Sequence, residues 1–75
     1  MLTTVIDVRR EACSGPVLKV KIAVNQLRPN ELLEVLADES SIDDITRIFG
    51  KLLGHQILSV EPKEKYFKIL IKKKE

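Results

Sequence analysis

Apolar positions change their spacing several times along this chain, and each change marks a new element. Thr3 to Val8 is β-branched and alternating, with Ile6 and Val8 set apart from Thr3 and Asp7, which predicts a short strand. From Val17 to Leu27 the period becomes helical: Val17, Val20, Ala23, Val24 and Leu27 fall on one stripe. Pro16 suits the first turn of that helix, where a missing N–H costs nothing, and Ser14 is placed to cap it. Pro29 cannot continue the helix, and Asn30 tolerates turn geometry. Leu18 and Ile22 lie off the stripe. They either cover the edge of the core or remain exposed as an apolar contact for a partner.

Glu31 to Ala37 returns to strand spacing, with Leu33, Val35 and Ala37 on one face and Leu32, Glu34 and Leu36 on the other. Asp38 to Ser41 is a loop, and Ser41 with Asp44 resembles a capping box that starts a second helix. Ile42, Ile45, Ile48, Phe49, Leu52 and Leu53 form its stripe, opposite Asp44, Arg47 and Lys51, and Gly54 ends it. Gln56 to Glu61 and Tyr66 to Lys72 are two strands, joined through Pro62-Lys63-Glu64-Lys65 as a hairpin.

The order βαβαββ predicts an α+β fold, a two-layer α/β sandwich. Right-handed crossovers set both helices on one face of a four-stranded mixed sheet. Three strands run one way and the last runs against them. Cys13, the Asp38–Ser41 loop and the Pro62–Lys65 hairpin then share the C-terminal end of the co-directed strands, where sites are usually built. Arg28–Asn30, His55 and Lys72–Lys74 share the opposite end.

Seventy-five residues with one cysteine make a single small domain, residues 1–75, with no internal disulfide. A lone thiol fits a reducing, cytoplasmic setting. Met1 to Asp7 lacks a basic n-region and a long apolar run, which gives neither a leader nor a membrane span. The net charge of +2 is too small to imply nucleic acid by itself. Lys72-Lys73-Lys74 reads as a solvated, fraying end.

The candidate chemistry lies in Ala12-Cys13-Ser14-Gly15-Pro16. Backbone N–H groups at a helix start lack intrahelical partners, and both they and the helix dipole favour a thiolate, which is the nucleophile. The alternative is a small buried hydrophobe, but polar Glu11 and Ser14 flank Cys13 in a connection rather than on an apolar face. Arg9, Arg10, Lys63 and Lys65 would support the anion and Asp38 would oppose it. His55 lies an element-length away, so no Cys/His dyad forms, and one Cys with one His cannot build a zinc site. No cofactor is expected.

Asp7-Val8-Arg9-Arg10-Glu11-Ala12-Cys13-Ser14-Gly15-Pro16 resembles the Asp-x-x-Gly-x-x-Cys-Pro-x-Pro signature of the TusA/SirA/YedF sulfur-carrier family. Arg28-Pro29-Asn30-Glu31, Leu33 to Asp38, Gly54-His55 and Tyr66 to Lys73 extend the likeness over almost the whole chain. Two positions depart from it: Ser14 replaces the first motif proline, and Arg10 stands where glycine is usual. The resemblance implies a fold similar to the C-terminal domain of translation initiation factor three. It also implies that Cys13 takes up sulfane sulfur as a persulfide and passes it on. Donors would be cysteine desulfurases or rhodanese-like proteins, and acceptors would serve tRNA thiolation, cofactor maturation or sulfur metabolism, so nucleic acid is met only indirectly. The docking surface would include Arg9, Arg10, Ser14, Pro16, Leu18, Asp38, Lys63 and Lys65.

Two other readings stand beside it. The same fold could serve as an RNA-binding or regulatory module without sulfur chemistry. The outer sheet face, with Leu32, Leu36, Leu58, Val60, Tyr66 and Leu70, could form a weak homodimer, unless the stems of Lys68 and Lys72 shield it.

Overall fold

The structure, a computed structural model, describes residues 3–75, so Met1 and Leu2 of the leader reading lie outside it. In chain order it contains β1 (Thr4–Asp7), α1 (Gly15–Asn25), β2 (Leu32–Ala37), α2 (Glu39–Ile45), a π-helical segment (Thr46–Leu52), β3 (Gln56–Pro62) and β4 (Phe67–Lys72). The sheet order is β1-β2-β4-β3, with β1 parallel to β2 and β4 antiparallel to both of its neighbours. This is the βαβαββ sandwich that the pattern predicts. Val20 and Val24 of α1, with Ile45 and Phe49 of the second helical stretch, meet Leu33, Val35, Ala37, Ile69 and Ile71 in one core. Burying each of the larger side chains contributes roughly 1.5–3 kcal/mol.

The second helix departs from its expected form. It starts at Glu39, with Asp38 rather than Ser41 at the N-cap position, and Ser41 lies within its first turn. After Ile45 it widens: the Leu53 N–H donates to the Ile48 carbonyl, five residues back, at 2.9 Å. The Thr46 hydroxyl donates to the Ile42 carbonyl at 2.9 Å, a back-bond that competes with the regular ladder. A π turn holds more residues than the ~3.6 of an α turn, so the apolar stripe drifts. Phe49 stays 1% exposed, whereas Leu52 and Leu53 rotate out to 67% and 37%. Gly50 allows the close approach to β3, since a Cβ there would lie 3.0 Å from Cγ1 of Ile57.

β3 carries a second irregularity. Ile57 pairs with Ile71, but Ser59 pairs with Leu70, so Leu58 is an extra residue in a bulge. The bulge moves Val60 opposite Ile69, onto the helix side of the sheet, and removes it from the expected outer patch. Leu32, Leu36, Tyr66 and Leu70 are half-buried. Lys68 lies among them, 3.7 Å from Glu34 and 3.6 Å from Glu61, a charged bridge across the face. Leu58, also of that patch, stays exposed.

The end opposite the Cys13 loop is tied together more tightly than a fraying tail. Asn30 N–H donates to the Lys73 carbonyl at 2.8 Å, and Lys73 N–H to the Glu31 carbonyl at 2.9 Å. The Lys73 ammonium reaches back to the Leu27 carbonyl at 2.6 Å, at the exit of α1. Asn30 and Gly54 turn the chain there with φ of 71° and 79°. His55 is buried, and its Nδ1 accepts from the Lys74 N–H at 3.1 Å.

Burial first, and then the charges of Lys74 and Lys73, lower the His55 pKa below its ordinary 6.5. The unfolded chain therefore takes up this proton more readily than the folded one. Stability is expected to fall as pH drops below 6.5 and to level off once the folded imidazole also titrates. Urea midpoints measured from pH 7.5 to 5 check this, with His55→Gln flattening the slope. Asp7 acts lower down: its carboxyl is held at about 2 rather than 3.8, mainly by hydrogen bonds from Arg9. Its contribution is present above pH 3.8 and is lost as pH falls towards 2.

Candidate active site: the Cys13 loop

Between β1 and α1 the chain makes two left-handed steps. Arg10 has φ of 66° and Cys13 has φ of 54°, a region that non-glycine residues rarely occupy. The Gly15 N–H donates to the Ala12 carbonyl at 3.0 Å, closing a turn with Cys13 and Ser14 at its centre. With Ser14 at φ −87° and ψ 3°, this is the pattern of a type II′ turn, whose first central residue takes positive φ. Cys13 is exposed at the apex of that turn, one residue before the N-cap of α1.

The same turn explains the behaviour of Ser14. It occupies the N-cap position as expected, and its carbonyl accepts from the Leu18 N–H at 3.0 Å, but its hydroxyl makes no cap bond. A capping side chain needs a β-region backbone, and the near-zero ψ of Ser14 withholds it. Pro16 is buried in the first helical turn, where it fixes the start of α1.

Both flanks of the loop are pinned. On one side the Arg10 N–H donates to the Asp38 carboxylate at 2.7 Å, across from β1 to the β2–α2 junction. That bond occupies the side chain that would otherwise cap α2, which has no side-chain cap bond. On the other side Glu11 pairs with Lys19 of α1 at 3.1 Å. Gly15 leaves room for this, since a Cβ there would come within 3.3 Å of Glu11. Glu11, Gly15 and Lys19 were not evident as site residues. Their only signal was a carboxylate and an amine flanking a glycine at a helix start.

The expected charged residues divide into three groups. Arg9 is consumed by Asp7: its backbone N–H and Nε donate to Oδ1 at 2.9 Å each, and Nη2 donates to Oδ2 at 2.8 Å. Its guanidinium also lies 5.0 Å above the Tyr66 ring. Lys63 turns away to Glu61, at 3.9 Å. Arg10 and Lys65 instead line a cleft of about 270 Å³ with Asp7, Arg9 and Asp38. The topology thus brings Arg9, Arg10, Asp38 and Lys65 together and leaves Lys63 outside.

Leu18 and Ile22 are exposed by 57% and 54%, so they do not cover the core edge. Ile22 lines a second cleft of about 370 Å³ between α1 and the β1 edge, with Ile6, Asp7, Lys19, Ala23 and Gln26. The aromatic residues offer little to stack on. Phe49 is buried, Phe67 is half-buried, and the half-buried Tyr66 ring faces Arg9. Among the described residues no cluster of side chains could hold a metal ion, and no helix is long and apolar enough to cross a membrane.

Arg10→Gly is expected to stabilise the protein by about 1 kcal/mol, because glycine takes positive φ without penalty. For a domain of this size that raises Tm by ~4–8 °C in a thermal scan.

Comparison with known proteins places this loop in a family context. Residues 4–73 match the family model Sulfurtransferase TusA. A predicted sulfur carrier protein of Archaeoglobus fulgidus is 37% identical over 70 residues, covering 92% of this chain and 94% of that protein. One from Methanocaldococcus jannaschii is 38% identical over 69 residues, 91% of each chain. One from Thermotoga maritima is 37% identical over 76 residues, 97% of this chain and 94% of that one. The crystal structure of a SirA-like protein from Desulfitobacterium hafniense superposes with a TM-score of 0.79 over 99% of this chain and 100% of that one, at 22% identity, and shares the fold. With the family model spanning nearly all of the described chain, and relatives of matching length, the protein belongs to the TusA sulfurtransferase family of sulfur carriers.

Proposed function

We propose that Cys13 is the sulfur-bearing residue, taking up sulfane sulfur as a persulfide from a donor protein and handing it to an acceptor protein. One observation carries this reading: the only thiol in the chain is exposed at the apex of a turn that is pinned on both flanks and leads into a helix. Left-handed backbone at a non-glycine residue costs on the order of 1–3 kcal/mol and persists only where the surroundings enforce it, as they do at reactive sites. A carrier needs its thiol presented and little else, since the donor and acceptor bring the remaining groups. In the exchange, the Cys13 thiolate attacks the outer sulfur of a donor persulfide. A new S–S bond forms at Cys13, and the donor thiolate leaves with the electron pair of the broken bond.

The exposed Leu18 and Ile22, on the helix that follows the thiol, suit contact with such partners. The donors are desulfurase-like or rhodanese-like proteins of the cytoplasm. The acceptors serve tRNA thiolation, cofactor maturation or sulfur metabolism.

The test is incubation with a cysteine desulfurase and cysteine, followed by intact mass measurement. Wild type should gain roughly 32 Da, one sulfur atom on the nucleophilic thiol, and Cys13→Ser should gain nothing. A Cys13 that stays unmodified with every donor class would remove the proposal.

A further inference from the structure

The cleft beside the Cys13 loop holds three cations and two carboxylates, and hydrogen-bond accounting shows which charges remain available. Both oxygens of Asp7 are taken by Arg9, and Oδ2 of Asp38 is taken by the Arg10 N–H. The Arg9 guanidinium is spent on the same pair. Arg10 and Lys65, by contrast, make no side-chain ion pair with any described residue, and both residues line the cleft. With Arg9 and Asp7 paired off, two cations from separate loops face the single carboxylate of Asp38 on one concavity, which leaves it net positive. Arg10 stands three positions before Cys13, on the loop that Asp38 holds in place.

From this arrangement we infer that the cleft binds a small sulfur oxyanion of the thiosulfate type, held between Lys65 and Arg10, the latter on the loop that carries the thiol three residues further on. The inference rests on the sulfur-carrier reading and names a low-molecular-weight source for the sulfur. A cleft of about 270 Å³ is ample for a tetrahedral dianion. A guanidinium fork paired with a mobile ammonium matches the oxygens of such an anion. An acidic peptide fits less well: its string of carboxylates spreads past the two cations towards the Asp38 oxygen that the Arg10 N–H leaves free, whereas one compact dianion can stay between Arg10 and Lys65.

The chemistry balances without a further reactant. The Cys13 thiolate attacks the terminal sulfane sulfur, and the S–S bond of thiosulfate breaks heterolytically. Sulfite leaves with the bonding pair, and Cys13 is left as the persulfide anion. Three negative charges enter the step and three leave it. Arg10 and Lys65 bind the oxygens that become those of sulfite, so they hold the leaving group as its charge develops. The glycine usual at the Arg10 position could not supply this contact, so the site depends on the residue by which this chain departs from the signature.

The test is an NMR titration of the full chain with sodium thiosulfate, with sodium sulfate and with a hexaglutamate peptide, each at fixed ionic strength, alongside intact mass after thiosulfate incubation. Saturable shifts centred on Arg10, Asp38 and Lys65 are expected with thiosulfate and sulfate. Arg10→Gln and Lys65→Gln should each weaken thiosulfate binding about tenfold, the loss of one charge-assisted contact. Lys65 is exposed at the hairpin, so its variant retains the fold and keeps the test decisive. Shifts that merely follow ionic strength, or affinities unchanged in both variants, would overturn the oxyanion site. Saturable binding of hexaglutamate with none of sulfate or thiosulfate would overturn it in favour of a protein partner. If thiosulfate neither binds nor charges Cys13 while a desulfurase does charge it, the cleft proposal fails and the carrier reading survives. If thiosulfate binds saturably while no donor charges Cys13, the carrier reading fails and the anion site stands.

Discussion

Phe49→Ala should leave the protein largely unfolded at 37 °C. Phe49 is the largest fully buried side chain, 1% exposed, and it sits where the π segment presses against the sheet. Truncating a buried phenylalanine removes its transfer free energy and leaves a cavity, together about 3–5 kcal/mol. A core of this size supplies net stability of the same order, roughly 3–5 kcal/mol. Far-UV circular dichroism against urea checks the outcome: the midpoint should approach zero denaturant. Leu52→Ala is the internal control, because that side chain is 67% exposed and its loss should move the midpoint little. Equal losses from the two would mean that the helical stretch packs as a regular α-helix after all.

Asp38→Ala should weaken both the fold and the chemistry. The carboxylate accepts from the Arg10 N–H at 2.7 Å, a charge-assisted bond to backbone held in the left-handed region. Such bonds contribute on the order of 1.5–3 kcal/mol when sheltered; this one is exposed, so a loss of about 1 kcal/mol is expected. The larger consequence is local. Released at Arg10, the loop samples other conformations, and the fraction presenting Cys13 falls. A drop in the productive population lowers the apparent rate in proportion. Charging of Cys13 by a desulfurase should slow severalfold in Asp38→Ala and recover in Asp38→Asn, whose amide oxygen still accepts. Urea midpoints with timed mass measurements read both effects. Unchanged charging in Asp38→Ala would show that the thiol does not depend on this anchor.

Much of the architecture was readable because local and long-range signals agreed. The Leu33, Val35 and Ala37 alternation named the buried face of β2, Pro16 marked the start of α1, and Asn30 and Gly54 marked turns that the structure contains. The hidden features share one cause: each depends on contacts that no short window of sequence contains. The stripe from Ile42 to Leu53 is regular at helical spacing, so the widening after Ile45 is invisible until Gly50 meets Ile57 on β3. The bulge at Leu58 is equally hidden, because Ile57, Leu58, Ser59 and Val60 read as ordinary strand. At the site, Cys13 stood out as the lone thiol, and the left-handed turn around it did not. Positive φ is normally announced by glycine, and here arginine and cysteine occupy those positions. The charged residues nearby were identified by type, but only the folded structure distinguishes Arg9, spent on Asp7, from Arg10 and Lys65, which make no ion pair among the described residues.

The place of β4 in the sheet bears on how the protein is made. It is the last strand in the order of elements, yet it lies between β2 and β3, which share no backbone ladder with each other. During synthesis β1, α1 and β2 can associate early, but one backbone edge of β2 stays unpaired, and Ile69 and Ile71 are missing from the core, until Phe67–Lys72 emerges. Closing the sheet is therefore a single late event that depends on contacts distant in sequence, a class of step that is slow and exposes apolar surface while it waits. A nascent chain stalled before β4 is the state of this protein most in need of a chaperone.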